Sequence, residues 1–164
     1  MKIKASLSAS SLSDAADALR KYAESLNKKS ETLVRKLCEK GVERANLYLQ
    51  HDDTGETRNS ISYVQEGLSG MVSVGGAAVW IEFGTGVIAN AGNSPHPMRD
   101  AVGAFAWGQY GDGHGSDPNG WWYFHPQRGL QHTNGIEMNP FMYSAAQDLH
   151  SDLTETAREV FKND

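Results

Sequence analysis

The sequence is poor in cysteine and in long apolar runs. Cys38 is the single cysteine among 164 residues, so no disulfide can close within the chain. This favours folding in a reducing cytoplasm. No apolar run approaches the roughly 20 residues needed to cross a bilayer, and we expect no membrane-spanning role. Residues 1–6 begin with basic side chains but lead into no apolar stretch, so we expect no secretory signal.

An excess of positive charge is also missing. The 15 Lys and Arg residues face 20 Asp and Glu residues, a formal net charge of −5. That balance is unfavourable for a protein that binds nucleic acid tightly. The charge is uneven, however. Residues 1–50 hold ten basic against six acidic side chains, whereas residues 51–86 hold one against five and residues 136–164 two against six.

This asymmetry has two interpretations. It is typical of a nucleic-acid-binding arm, and it is also expected where identical subunits place a basic element against an acidic surface. An arm would carry interleaved aromatic side chains, but the basic segment has only Tyr22 and Tyr48. We therefore favour self-association over nucleic-acid binding.

The hydrophobic pattern predicts an α+β fold in one domain over residues 1–164, beginning with a long helix. Between residues 12 and 50 the apolar residues recur every three or four positions, with Ser11 or Ser13 as the expected N-cap. Such a rod is longer than a compact chain of this size. It either breaks near residues 27–30 or reaches a neighbouring subunit. Cys38 lies on the apolar stripe, where we expect it to pack in the core.

The rest of the chain predicts a small antiparallel sheet, an insert and a last helix. Residues 58–86 alternate as a β-meander does and end in a connector that is helical or extended. Residues 139–162 predict a C-terminal amphipathic helix, with Asn139 as its cap and Pro140 in its first turn.

Residues 87–135 form a glycine- and aromatic-rich insert. They hold nine of the 17 glycines, four of the six histidines and three of the four tryptophans. A loop of this length is usually functional or an interaction element. Trp121, Trp122 and Tyr123, followed by Phe124, predict a short strand. We expect these aromatic side chains to pin the insert to the domain or to contact adjacent subunits, and stacking on carbohydrate or bases is the less favoured alternative.

Two patterns suggest catalysis and are better explained otherwise. Asp53, Thr54 and Gly55 spell the aspartic-protease triplet, but polar residues flank it where a protease has an apolar strand. We expect a turn in which Asp53 bonds to the backbone near Gly55. Gly84 and Gly86 flank Thr85 in a pattern that favours a tight turn over a phosphate cradle.

The histidines of the insert raise the question of a metal. His96, His114, His125 and His132 include no pair at the spacing of HExxH, and no cysteine pair accompanies them. We therefore expect no metal, no cofactor and no catalytic residue. A metal-dependent hydrolase that uses these histidines stays the alternative function, beside a nucleic-acid-binding module that uses the basic helix.

Three segments stand in an order that resembles a known family. They are residues 53–61 (DTGETRNSI), 78–86 (AVWIEFGTG) and 134–142 (NGIEMNPFM), with Ala145 four residues after Phe141. Together they resemble the HK97 gp10-like family of tailed-phage neck and tail-completion proteins. The family commonly has Tyr-Ala where this chain has Ala78 and Val79, and the insert here is long.

The resemblance implies a structural virion protein at the head–tail junction, made in the host cytoplasm. It implies a ring of six or twelve copies that contacts head-closure, adaptor and tail proteins while DNA passes through without tight binding. Turn and packing anchors are expected at Glu82, Phe83, Gly84, Thr85, Gly86, Pro140 and Phe141. We expect Trp121, Trp122 and Tyr123 to contact partners, and a Trp121/Trp122 double alanine variant to fold without assembling.

Overall fold

The structure, a computed structural model, describes residues 8–86, 88, 96–98 and 117–162. It has the predicted α+β composition, with a long N-terminal helix, small antiparallel sheets and a C-terminal helix. In chain order the elements are α1 (Ala9–Tyr48), α2 (Glu56–Ser60), β1 (Ser62–Glu66), β2 (Ser69–Ser73), α3 (Ala78–Phe83), β3 (Thr85–Gly86), β4 (Trp121–His125), β5 (Gly129–Thr133), β6 (Gly135–Ile136) and α4 (Phe141–Phe161).

Helix α1 is continuous over 40 residues, which corresponds to about 60 Å. The predicted N-caps Ser11 and Ser13 are wrong, because the helix begins at Ala9. The side chain of Ser8 accepts a hydrogen bond of 3.3 Å from the Ser11 N–H. The helix does not break at residues 27–30, although the apolar stripe lapses there. Of the two predicted alternatives, the structure has the unbroken rod.

Helix α4 runs antiparallel to α1 and covers only the C-terminal half of it. Tyr48 Oη donates to Asp148 Oδ2 over 2.6 Å near the start of α4. Lys36 Nζ lies 3.6 Å from Glu159 Oε2 near the end of α4. Residues 9–30 of α1 therefore extend about 33 Å past the end of α4. We call this segment the α1 overhang.

In the described part of the chain, three two-stranded antiparallel ladders replace the single small sheet that the pattern suggests. They pair β1 with β2, β3 with β6, and β4 with β5. The predicted meander is one hairpin, β1–β2, between two short helices. The connector before Gly84 is helix α3. The predicted strand at Trp121 is confirmed and belongs to the hairpin β4–β5.

The core lies where α1 ends, α4 begins and α3 crosses between them. Phe141 and Ile81 are its largest fully buried apolar side chains, and Ala45, Leu49, Ile61, Ala78 and Ala145 complete it. Cys38 is buried farther along α1, as predicted for a packing residue. Polar side chains of the sequence motifs lie on one side of the core, where α3 meets the start of α4.

Candidate functional site

A buried carboxylate joins α3 to the start of α4. Glu82, 7% exposed, accepts the Met142 N–H at Oε2 over 2.9 Å and the Tyr143 N–H at Oε1 over 3.0 Å. The first amides of a helix lack partners within the helix and carry the positive end of its dipole. Glu82 supplies both the acceptors and the negative charge that this helix start requires. The predicted anchor at Glu82 is thus a cap on α4.

His96 binds the same carboxylate. Its Nδ1 accepts the Met98 N–H over 3.0 Å, so the ring proton is on Nε2, which donates to Glu82 Oε1 over 3.0 Å. The ring also packs 4.2 Å from the Phe83 ring and 5.6 Å from the Tyr143 ring, centroid to centroid. His96 therefore fastens part of the predicted insert to the core.

Asn139 has a different role from the predicted one. We expected it to cap α4, but Pro140 occupies the N-cap position and Glu82 serves the free amides. The Asn139 side chain instead accepts the Gln50 N–H over 2.7 Å and donates to the Tyr48 carbonyl over 3.1 Å. Its backbone N–H donates to the Ile81 carbonyl over 2.9 Å. Asn139 thus ties the end of α1 to α3 and α4.

The turn after α1 is organised by Asp52, where the sequence suggested Asp53. The two oxygens of Asp52 accept the Thr57 and Arg58 N–H groups over 3.2 and 2.8 Å, which caps α2. Asp53 is exposed and forms a 3.2 Å ion pair with Arg128. The prediction that Asp53 bonds to the backbone near Gly55 is wrong. Asp52, one residue earlier, makes these bonds, and Gly55 adopts the left-handed conformation between Asp52 and α2.

The same segment also holds the C-terminal end of α1. The Arg58 guanidinium donates to the Asn46 carbonyl over 2.6 Å and to the Leu49 carbonyl over 3.0 Å. The last carbonyls of a helix have no partner within it, and a cation there also complements the dipole. Arg58 therefore caps the C-terminal end of α1, as Glu82 caps the N-terminal end of α4.

The predicted turn at Gly84, Thr85 and Gly86 is a close crossing of two chain segments. Gly86 faces Gly135 across the β3–β6 ladder, both with positive φ. A Cβ on Gly86 would overlap the Asn134 carbonyl, and one on Gly135 would overlap the Thr85 carbonyl. The buried Thr85 accepts the Ile136 N–H over 3.2 Å. These glycines serve close backbone approach.

The hairpin β4–β5 presents two different faces. Trp121 is 9% exposed and lies on the inner face. On the outer face Trp122 and Phe124 are 65% and 73% exposed, and Leu130, directly across from Phe124, is 64% exposed. The expectation that a Trp121/Trp122 double alanine variant folds normally therefore needs revision, because Trp121 is an interior side chain. We call Trp122, Phe124 and Leu130 the hairpin face.

The described histidines of the insert bind protein groups of their own chain. His125 Nδ1 accepts two backbone N–H groups at the β4–β5 turn, and His132 Nε2 lies 2.8 Å from the Asn119 carbonyl. Within residues 8–86, 88, 96–98 and 117–162, no group of three His, Cys, Asp or Glu residues could hold a metal ion. His114, the other predicted candidate, lies outside the described residues.

The basic and acidic parts of the sequence meet within the chain. Basic side chains of α1 form four contacts of 3.5–3.9 Å with carboxylates on α4: Lys36–Glu159, Lys40–Asp152, Arg44–Asp148 and Arg44–Asp152. Part of the charge asymmetry that suggested contacts between subunits, or a nucleic-acid-binding arm, is thus matched along the α1–α4 contact by Lys36, Lys40 and Arg44. Other basic residues, among them Arg20, Lys21 and Lys28, lie on the part of α1 that α4 does not reach.

An apolar groove of about 570 Å³ lies between α1, β2 and α4. Cys38, Gly41, Val72 and Leu149 contribute to its lining. Burial, and secondly the charge of Glu39, raise the pKa of the Cys38 thiol. A thiol with a raised pKa carries less of the reactive thiolate at neutral pH. Cys38 therefore fits the packing role predicted from its place on the stripe.

Comparison with known proteins yields no match among family models, curated proteins or solved structures. Among the described helices, none has the length and apolar character required to cross a membrane. The functional argument therefore starts from the geometry of this chain.

Proposed function

We propose that this protein is a structural component of the phage head–tail junction, acting in neck or tail completion as one subunit of a ring around the DNA channel. The observation that carries this proposal is that the three segments of the family resemblance meet at one joint. Arg58, Glu82 and Asn139 each belong to a different segment, and each binds backbone groups at a helix end.

The joint supports a structural role because of what its polar groups do. Glu82 and Asn139 bind amides and carbonyls of their own chain, and Phe141 is fully buried beside them. A joint of this kind fixes the relative positions of α1, α3 and α4. In a ring, each subunit must present its contact surfaces in one fixed geometry, and a rigid joint serves that requirement.

The distribution of charge also supports passage of DNA without tight binding. The net charge is −5, and the basic side chains Lys36, Lys40 and Arg44 contact carboxylates of α4. Pairing with α4 leaves Lys36, Lys40 and Arg44 less available to neutralise phosphates, and a negative net charge repels phosphates. A ring through which DNA slides benefits from both properties.

Native mass spectrometry and electron microscopy of the purified protein test the proposal. We expect a closed oligomer with a central channel, of six or twelve copies. A species that stays monomeric over the accessible concentration range would contradict the ring. Joining of purified heads to tails, with and without the protein, tests the place of the ring in the virion.

The two alternative functions have cheap tests of their own. Elemental analysis for zinc on the purified protein examines the metal-dependent hydrolase, and stoichiometric zinc together with hydrolytic turnover would replace our proposal. Retention on immobilised DNA in a salt gradient examines the nucleic-acid-binding module. We expect elution at low salt, because the net charge is −5 and Lys40 and Arg44 of α1 are paired with α4.

A further inference from the structure

The α1 overhang carries apolar side chains that the described part of the chain does not cover. Leu12 and Leu19 are 53% and 56% exposed, and Tyr22 is exposed beside them. Toward the overhang, the hairpin β1–β2 contacts α1 at Glu31, whose carbonyl accepts Gln65 Nε2 over 2.8 Å. A helix of about 22 residues gains most of its stability from packing an apolar face. An apolar helix face exposed in this way is a candidate contact surface.

The overhang stripe has the spacing of a helix-packing seam. Leu12, Leu19 and Leu26 repeat at intervals of seven residues, Leu33 continues the repeat beyond the overhang, and alanines at positions 15, 16 and 23 lie beside the leucines. A spacing of seven residues keeps these side chains on one face of a helix. The small alanines let another surface approach the helix closely.

The hairpin face is the second exposed apolar surface. Its inner side is covered by the domain through Trp121 and His125, whereas Trp122, Phe124 and Leu130 point outward. A two-stranded hairpin is marginal alone and gains stability by packing against a helix. The three outward side chains offer on the order of 300–400 Å² of apolar surface.

The area of the hairpin face is about half of what one partner contributes to a standard interface, roughly 800 Å². Aromatic side chains typically occupy the centre of such interfaces and polar groups their rim. Strands β4 and β5 contain no Lys, Arg, Asp or Glu, so covering them buries no unpaired formal charge. This face is suited to be the centre of a protein interface.

The stripe of the overhang is long enough to cover the hairpin face. The rise from Leu12 to Tyr22 along the helix is about 15 Å, and a five-residue strand such as β4 is about 17 Å long. A helix laid along the hairpin can therefore place its stripe over the whole hairpin face. This is the helix-on-sheet layer found inside many domains.

The two surfaces also lie at opposite ends of α1. The ion pair of Arg128 with Asp53 places the β4–β5 turn beside the C-terminal end of α1, whereas the overhang is its N-terminal end. Two complementary patches at opposite ends cannot meet within one copy. Between copies they give a head-to-tail contact, the kind that closes into rings.

We propose that the α1 overhang of one copy packs on the hairpin face of the next copy. This inference rests on the proposed ring and names the surfaces that form it. A two-fold dimer could use the same contact twice, so the native mass is needed to distinguish such a dimer from a larger ring. The outer face of β1–β2, where Val64 and Met71 are exposed opposite each other, is the competing surface.

Cysteine cross-linking between copies tests the pairing. In a Cys38→Ala background that retains the native mass, Leu19→Cys and Phe124→Cys are prepared as separate proteins and joined with a short bis-maleimide reagent. We expect a covalent dimer only when the two proteins are mixed. Val64→Cys is the matched control, because its side chain is 62% exposed on the other hairpin. Mixed with Leu19→Cys, it should give at least tenfold less product.

Three outcomes would overturn the pairing. Cross-linking of Leu19→Cys with itself would show paired overhangs, and cross-linking of Phe124→Cys with itself would show paired hairpins. A product between Leu19→Cys and Val64→Cys, without one to Phe124→Cys, would assign the contact to β1–β2.

The native mass separates this inference from the proposed function. A closed oligomer without the Leu19–Phe124 product would leave the ring standing and reject these surfaces. A monomer without any product would reject both.

Discussion

Glu82 is the residue at which α3, α4 and the insert meet. A carboxylate is needed there because it accepts from two backbone amides and from His96 at once. An amide side chain of the same shape has only one oxygen, so its NH₂ group would face an amide donor. The role of Glu82 is therefore specific to its charge and its two acceptors.

We predict that Glu82→Gln lowers the free energy of unfolding by about 2 kcal/mol, the size expected for losing hydrogen bonds to a buried charged group. Urea denaturation followed by circular dichroism measures the change. Glu66→Gln is the control, because Glu66 is an exposed carboxylate on β1, and it should change stability by less than about 0.5 kcal/mol. Equal effects of the two variants would show that Glu82 does not cap α4.

Tyr48 gives a prediction that depends on pH. The hydrogen bond that its hydroxyl donates to Asp148, then burial and the Asp148 charge, raise the pKa of the phenol, while Arg44 opposes them. The folded state therefore favours the protonated phenol. Its contribution to stability is fully present below about pH 10, the ordinary pKa of tyrosine, and is lost as pH rises through the raised pKa.

We expect the urea midpoint of the native protein to exceed that of Tyr48→Phe at pH 8, and the difference to shrink at pH 11. Tyr63→Phe, at a tyrosine on the β1–β2 hairpin, is the matched control and should show no such trend. A difference between native protein and Tyr48→Phe that stays constant with pH would argue against the bond to Asp148.

At the scale of elements, β2 packs on α1 through a glycine. A Cβ on Gly70 would overlap Cys38 Sγ and lie 2.8 Å from Val34 Cγ1. The strand can therefore lie this close to the helix only without a side chain at that position. The contact also forms part of the wall of the apolar groove.

We predict that Gly70→Ala destabilises the fold by about 1–3 kcal/mol, the range for overpacking a close contact. Gly75→Ala is the control, because a Cβ there would lie 3.7 Å from its nearest neighbours in Ser60, and its φ is not positive. It should change stability by less than about 0.5 kcal/mol. Thermal or urea unfolding measures both, and a Gly70→Ala variant as stable as the native protein would contradict the close packing.

The sequence predicts the long elements well because their patterns repeat many times. The helix expected over residues 12–50 is found at Ala9–Tyr48, and the helix expected over residues 139–162 at Phe141–Phe161. The pattern could not decide whether α1 breaks, because the apolar stripe lapses at residues 27–30. The two-residue strands β3 and β6 leave no periodicity to detect, and only the glycines mark their crossing.

The joint was predicted only in part, because its partners are far apart in the chain. Glu82 was recognisable as a carboxylate inside an apolar run, but its bonds to Met142 and Tyr143 span about 60 residues. Asn139 was assigned to the nearest helix by local rules, whereas its side chain binds the end of α1. His96 carried no local signal that separated it from the other histidines of the insert.

At the scale of the whole molecule, part of the formal charge is paired within the chain. Lys40 and Arg44 of α1 contact Asp148 and Asp152 of α4, so opposite charges lie along one intramolecular contact. Two of the surfaces available for association, the stripe of the α1 overhang and the hairpin face, carry large exposed apolar side chains. Association between copies should therefore depend on apolar burial more than on attraction between opposite charges.

Salt distinguishes association by apolar burial from association by opposite charges. Raising NaCl from about 0.1 M to about 1 M shortens the Debye length from roughly 10 Å to roughly 3 Å. An assembly joined by opposite charges would dissociate, whereas one joined by the overhang and the hairpin face should keep its mass. Sedimentation velocity at the two salt concentrations measures this.

Trp122→Ser/Phe124→Ser supplies the control, because both side chains are largely exposed and their loss should spare the fold. Removing two central aromatic side chains should weaken association by about 30-fold or more at both salt concentrations.

The urea midpoint should fall slightly in high salt, since the α1–α4 ion pairs are partly exposed to solvent. Two results together would assign the contact to charged surfaces instead. The native assembly would dissociate in 1 M NaCl, and the double variant would still assemble at 0.1 M.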